Sequence, residues 1–348
     1  MITESLLVWA IVCIGGGLLL ALLMLAGHGA VRLAAERLYA PRVRRARAAL
    51  VAAVDRGRPD DETREALSAL SAERRLALFE AFAPSLAGPE REALQAAARE
   101  LGVLEGAERR CSSRRWRRRL HGARVLSLLG GGETVVPPLL GDPRPEVRAQ
   151  AAEWASAHRD EAVVQRLVEM LADPRPFTRY TVMDSLIRLG AAASGPLARA
   201  IQYPPSGAGA PALEVAARIS DPPLADAAAT RIGDPDPAVR AWVARVLASV
   251  GGEARAELVA GLLDDPEPEV RAAAAVALGR LGHWPAAPAL AARLRDPAWR
   301  VRRDAAVALR TLGGPGRMML ERALRDEDAF ARDMARQTLD LPEVALPS

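Results

Sequence analysis

From about residue 111 to residue 341, apolar residues fall in short blocks at the three-and-four spacing of an amphipathic helix. One block carries Val270, Ala274, Ala275, Leu278 and Leu281; the next carries Val301, Ala305, Ala306, Leu309 and Leu312. Each ends at a glycine, Gly282 or Gly313, a residue that accepts the left-handed conformation common just past a helix. A second apolar run follows each glycine and places Leu140, Leu171, Leu263, Leu294 and Leu324 at one equivalent position. The pattern predicts two helices per block.

Between blocks the chain returns to one phrase. Asp-Pro-Arg-Pro-Glu-Val-Arg at Asp142 recurs in variants at Asp173, Asp234, Asp265 and Asp296, with a weaker copy at Asp326. Asp142 and Asp173 are 31 residues apart, as are Asp234, Asp265 and Asp296, while Asp326 follows after 30. The step from Asp173 to Asp234 is 61 residues and holds a degenerate unit near 203–233; another weak unit fills 111–141. A fixed period of this length marks stacked helix pairs, none of which buries its apolar stripe alone. Asp-Pro suits the junction, since proline cannot continue the preceding helix and aspartate favours turns and caps. The expected architecture over 111–341 is all-α, a right-handed α-solenoid of about eight helix pairs.

The motif Asp-Pro-x-x-x-Val-Arg-x-x-Ala-Ala with a Leu-Gly close, read at Asp265 to Ala275 with Leu281 and Gly282, resembles the short HEAT repeats of the phycobilisome-lyase-like class. The resemblance specifies architecture and says little about function. It implies that the second helix of each pair lines the concave side, which makes Gln165, Glu169, Glu257 and Arg322 candidate partner contacts. HEAT-repeat deoxyhypusine hydroxylases carry paired His-Glu motifs. Here His28, His121, His158 and His283 sit in separate stretches with no such pairing, and no bilin-binding motif can be carried over. No phosphate loop is present at the glycine clusters. No metal, cofactor or catalytic residue is expected.

The amino terminus has a different pattern. Residues 5–27 are almost wholly apolar and long enough to cross a hydrocarbon core of about 30 Å. A cleavable signal peptide is the rival reading, but Met-Ile-Thr-Glu is not a basic leader and the apolar stretch is too long. Arginines from Arg32 to Arg47 follow the span, against Glu4 alone before it, so the positive-inside bias places the repeats in the cytoplasm of a bacterial inner membrane. The expected order is a tail at 1–4, a transmembrane helix at 5–27, a basic juxtamembrane helix at 28–59, an irregular helical cap at 60–110, the repeats, and a tail at 342–348. The cap helices are expected at Glu62 to Leu70, Glu73 to Ala83 and Glu90 to Leu101. The cysteines, Cys13 and Cys111, form no disulfide framework.

Charge changes this picture in three places. All 47 basic residues are arginine, which fits a GC-rich genome better than a nucleic-acid footprint at a net charge of +4. Arg148, Arg179, Arg240, Arg271 and Arg302 recur in step with Asp142, Asp173, Asp234, Asp265 and Asp296, which predicts a structural ladder of Arg to neighbouring Asp or backbone carbonyl and not a ligand site. Function then belongs where the repeats differ. Two such places stand out: the cluster Arg114, Arg115, Trp116, Arg117, Arg118 and Arg119, either a solvated face or a contact for anionic lipid, nucleic acid or an acidic partner face, and Tyr203 in the Pro- and Gly-rich loop of the degenerate unit. The resulting expectation is a membrane-anchored, non-catalytic scaffold for a protein partner. A nucleic-acid-binding solenoid and a HEAT-class lyase or oxidoreductase are the alternatives.

Overall fold

The computed structural model describes residue 24, residues 39–204 and residues 208–341. All regular secondary structure among them is helical, and the chain forms two compact units. One unit runs to Arg114 and includes Val125–Gly132; the other comprises Arg115–Arg124 and the chain from Glu133 onward. Apart from residue 24, the expected span at 5–27 lies outside the described residues, as do both tails. No described helix is long and apolar enough to cross a membrane.

The first unit holds α1 (residues 39–56), α2 (Asp61–Ser68), α3 (Ala72–Phe82), α4 (Gly88–Glu100) and α5 (Val103–Cys111). Asp60 caps α2 by accepting the backbone N–H of Thr63 at 2.8 Å, satisfying a donor that the helix itself leaves open. Pro84 ends α3 in a single 3-10 turn and Pro89 stands in the first turn of α4, so the two helices are separated where expected. Leu50, Leu67, Phe79 and Leu94 are fully buried and form the core. The fifth helix was not expected. It is set off from α4 by Gly102, whose φ of +65° suits glycine. Its last residue, Cys111, is buried, and burial followed by the nearby Glu108 pushes the thiol up to about 11, so it is inert as a nucleophile.

The second unit is a two-layer stack. One layer is α7 (Pro145–Ala155), α9 (Pro176–Leu189), α11 (Gly209–Ile219), α13 (Pro237–Val250), α15 (Pro268–Leu281), α17 (Trp299–Thr311) and α19 (Ala329–Asp340). The other is α8 (Glu161–Glu169), α10 (Ser194–Gln202), α12 (Pro222–Ala229), α14 (Glu253–Gly261), α16 (Ala287–Ala292) and α18 (Gly314–Ala323). α6 (Trp116–Leu129) crosses the boundary between the units in sequence. First-layer helices pack on one another in chain order. In α7, α9, α13 and α15 the second proline of the repeat phrase opens the helix, the position where its missing N–H costs nothing. Val147, Val239, Val270 and Val301 are buried, as are Leu140, Leu171, Leu263 and Leu294.

Two units depart from the pattern. In the first, Gly130, Gly131 and Gly132 all have positive φ, and Pro137-Pro138 follows, so the second helix shrinks to a 3-10 turn at Pro137–Gly141. In the degenerate unit, α11 starts at Gly209, three residues before the expected Ala212, and touches α9 less than other neighbouring first-layer helices touch.

Small residues set how closely the later helices approach. A Cβ on Gly316 of α18 would lie 1.7 Å from the carbonyl oxygen of Leu309 in α17, whereas nothing stands within 4 Å of one on Gly314. Backbone cannot swing aside as a side chain does, so Gly316→Ala should cost about 1–3 kcal/mol or more by overpacking. Urea unfolding of both variants checks this; a Gly316→Ala protein as stable as Gly314→Ala would contradict it.

Candidate functional site

The repeated Arg and Asp side chains meet across unit boundaries. Arg148 forks the carboxylate of Asp173 at 2.7 and 3.0 Å, Arg240 that of Asp265 at 2.7 and 2.8 Å, and Arg271 that of Asp296 at 2.7 and 2.9 Å. The third guanidinium nitrogen donates to the carbonyl of its own unit's Asp, as from Arg271 to Asp265 at 2.8 Å. Each Asp also accepts the backbone N–H two residues on, such as Ala298 on Asp296 at 2.9 Å. The Arg240 fork holds Asp265 below the usual carboxylate range against the effect of burial. At Asp296 burial is the larger influence and would raise the group, but the Arg271 fork and the Ala298 N–H together outweigh it.

Three rungs use arginines outside the expected set. Arg119 forks Asp142 at 2.6 and 2.9 Å, so it belongs to the ladder as well as to the basic run where sequence placed it. In the degenerate unit Pro204 stands where an Asp would be, and among the described residues Arg179 keeps only its bond to the Asp173 carbonyl at 3.0 Å. Arg231 then serves Asp234, at 2.7 Å from Nε, and reaches back to the Ile201 carbonyl at 2.6 Å. Ser194 adds a short hydrogen bond to Asp221. Arg302 keeps the carbonyl half of the ladder, donating to the Asp296 carbonyl at 2.8 Å and that of Pro297 at 3.0 Å, but makes no fork: the repeat is one residue short, Asp326 is taken by Arg295 at 2.8 Å, and Arg302 lies 4.5 Å from the Phe330 ring. The Nε of Arg302 is buried with no hydrogen-bond partner.

The sequence-predicted contact residues are dispersed. Gln165 and Glu169 lie on α8, where Gln165 accepts from Arg199 at 3.3 Å and Glu169 pairs with Arg166 at 2.7 Å. Glu257 on α14 and Arg322 on α18 are exposed, and Tyr203 is 81% exposed after α10. In the basic run Arg114, Arg115, Arg117 and Arg118 are exposed, while Trp116 is half-buried with the guanidinium carbons of Arg117 and Arg144 each 5.5 Å from its ring.

A more concentrated feature lies on the other layer. The outer faces of α13, α15 and α17 enclose an open groove of about 580 Å³ that follows α17 from Arg300 to Thr311. Ala272, Ala273 and Val276 of α15 provide apolar lining, and Arg245, Arg280, Arg300 and Arg303 line it with positive charge. The one carboxylate among the lining residues, Asp304, is held by Arg303 at 2.6 Å with Arg300 at 3.8 Å. Arg245 and Arg280 make no ion pair or hydrogen bond among the described residues. Arg245 is 4.4 Å from the Trp242 ring and Arg303 is 5.1 Å from that of Trp299. Burial first, then the field of Arg300, with a smaller part from Arg280, lower the pKa of Arg245; Glu214 and Glu269 act the other way. Sequence reading passed over these arginines because they fall outside the ladder register. The available signal was the eleventh residue after each repeat Asp, which reads Glu153, Asp184, Arg245, Val276 and Val307 and so changes sign midway.

A second concavity, also about 580 Å³, opens beside the shortened first unit. Pro137, Leu140, Trp154 and Val163 line it, with His158 and Arg166. The His158 ring stacks on Trp154 with centroids 3.6 Å apart, and its Nδ1 lies 2.8 Å from the Trp154 carbonyl. Among the described residues no group of His, Cys, Asp and Glu is placed to hold a metal ion.

Residues 132–207 and 255–340 match the family model of HEAT repeats. These two stretches of the stack are therefore similar to HEAT repeats, and most of the degenerate unit falls in the interval between them. No curated protein sequence is similar to the chain. Among solved structures, an engineered protein is 19% identical with a TM-score of 0.40, covering 86% of this chain and 93% of its own. The karyopherin Kap121p bound to the SUMO protease Ulp1p is 15% identical with a TM-score of 0.42, over 80% of this chain and 41% of the karyopherin, so this chain spans less than half its length. The CpcE and CpcF complex of phycocyanin lyase from Nostoc sp. PCC7120 is 19% identical with a TM-score of 0.36, over 59% and 92%.

Proposed function

We propose that this chain is a non-catalytic scaffold that holds a protein partner on its HEAT repeats and is anchored to a bacterial inner membrane by residues 5–27, with the repeats in the cytoplasm. The groove on α13, α15 and α17 carries the reading. It crosses three consecutive repeats, follows three turns of α17, and combines apolar lining with guanidinium groups, which stay charged and donate hydrogen bonds without exchanging protons at neutral pH. Such a surface suits a chain segment, and the ladder beneath gives it a rigid frame. The apolar stretch and the arginines after it support the anchor. Confinement to the membrane raises the effective concentration of a partner that resides there.

Photo-crosslinking in cells tests this. A crosslinkable residue at Val276, on the groove wall, should trap one discrete protein, whereas the same residue at Glu257 or Arg322 reports on the second layer. Trapping from the second layer alone would move the partner site to the residues expected from sequence. Trapping of nucleic acid, or of nothing from either layer, would overturn the scaffold reading.

A further inference from the structure

The stack contains its own template for what the groove binds. On α7, Glu153 is the eleventh residue after the repeat Asp; on the following helix α9, Arg188 is the fifteenth. These two form a fork at 2.7 and 2.9 Å. The same pair of positions on α13 and α15 is occupied by Arg245 and Arg280. Where α7 and α9 place a carboxylate against a guanidinium, α13 and α15 place two guanidinium groups that no carboxylate pairs among the described residues, with Glu214 and Glu269 acting on Arg245 only through their field.

We propose that the groove binds an acidic segment of a protein partner, one of whose carboxylates sits between Arg245 and Arg280 as Glu153 sits against Arg188. This rests on the scaffold reading and names the chemistry of the partner. The lining sets four arginines against one carboxylate, Asp304, which two of them already share, and Glu214 and Glu269 act on Arg245 from outside the lining without pairing it. A ligand carboxylate would gain charge-assisted, bidentate hydrogen bonds. Trp242 braces Arg245 and Trp299 braces Arg303, so less side-chain freedom is lost on binding. The lining between the arginines is alanine and valine, which favours amino-acid side chains over a phosphate backbone, since the latter presents no apolar ridge to cover it.

The test uses the full chain in detergent micelles with a fluorescein-labelled polyglutamate peptide. Binding is expected at low salt and should weaken as salt rises. Arg245→Glu should weaken it about tenfold or more, while raising or preserving the melting temperature, because the introduced carboxylate can pair with Arg280 as Glu153 does with Arg188. Arg325→Glu, an exposed arginine elsewhere on the stack, should leave binding unchanged. No binding of polyglutamate, or equal loss in both variants, overturns the inference. Tighter binding of single-stranded DNA that is lost in Arg245→Glu would make the groove a nucleic-acid site instead. The two readings fail separately. If Val276 traps a protein but polyglutamate does not bind, the scaffold stands and the acidic assignment falls; if polyglutamate binds but neither Val276 nor the second layer traps a protein, the groove's preference for carboxylates stands and the scaffold reading falls.

Discussion

Arg271→Ala should destabilise the repeats around α15 and α17 by about 3–5 kcal/mol, the range for breaking a buried ion pair from one side. Arg271 and Asp296 are 9% and 6% exposed, so the change leaves a desolvated carboxylate whose one remaining hydrogen-bond donor among the described residues is the Ala298 N–H. It also removes donors from the carbonyls of Asp265 and Pro266. Arg317→Ala provides the contrast: its pair with Glu321 is largely exposed, and such pairs contribute about 0–1 kcal/mol. Repeat arrays can unfold in segments, so hydrogen exchange in α15 and α17 is the better readout than a single melting temperature. Equal effects of the two substitutions would contradict the ladder's role. Acid supplies a second check. Asp173, Asp265, Asp296 and Asp326 are all held below their ordinary value in the fold. Their contribution is therefore complete above the unfolded carboxylate pKa of about 3.9 and is lost as pH falls through the lower folded values. Arg271→Ala should shrink this acid-sensitive part, because Asp296 is no longer held down.

Trp154→Ala should be comparably severe, about 3–5 kcal/mol, the usual cost of deleting a buried aromatic side chain. Trp154 is 2% exposed, is among the largest fully buried side chains, and forms one wall of the concavity beside the shortened first unit. The neighbouring space is already vacant of helix, since Pro137–Gly141 is a single 3-10 turn, so the site has little with which to collapse into the lost volume. The stack with His158 goes too. Trp154→Phe should recover much of the loss. Urea unfolding of the two variants checks this, and a Trp154→Ala protein within about 1 kcal/mol of wild type would show that the region repacks.

The 31-residue period, the positions of the buried Val and Leu, the helix starts at proline and the existence of an Arg–Asp ladder are all properties of local spacing, and the chain states them openly. The same holds for the two weak units, whose glycines, prolines and missing Val-Arg announce the departure. Pairing is different. Sequence put Arg119 in a surface run and left open whether each ladder arginine meets an Asp or a carbonyl, yet Arg119 forks Asp142, while Arg302 keeps only the carbonyl bonds and Arg295 takes Asp326. A one-residue change in loop length shifts which guanidinium arrives, and the chain's spacing does not say which one will. The degenerate unit shows this most clearly. Arg231 fills a rung from outside the repeat register: it meets Asp234 three residues on, while its bond to the Ile201 carbonyl exists only once α12 is packed beside α10.

The candidate site lies at the far end of the same scale. Arg245, Arg280, Arg300 and Arg303 are unremarkable in a chain whose every basic residue is arginine, and they come from three separate repeats. What the sequence by itself determined is the repeat: period, core stripe, junction chemistry and the ladder that joins units. What only the tertiary structure decided is which surface residues from different repeats become neighbours. An outer-face residue has no packing partner to reveal it by periodicity, so the meeting of Arg245 with Arg280, in the place where Glu153 meets Arg188, exists only after the helices stack.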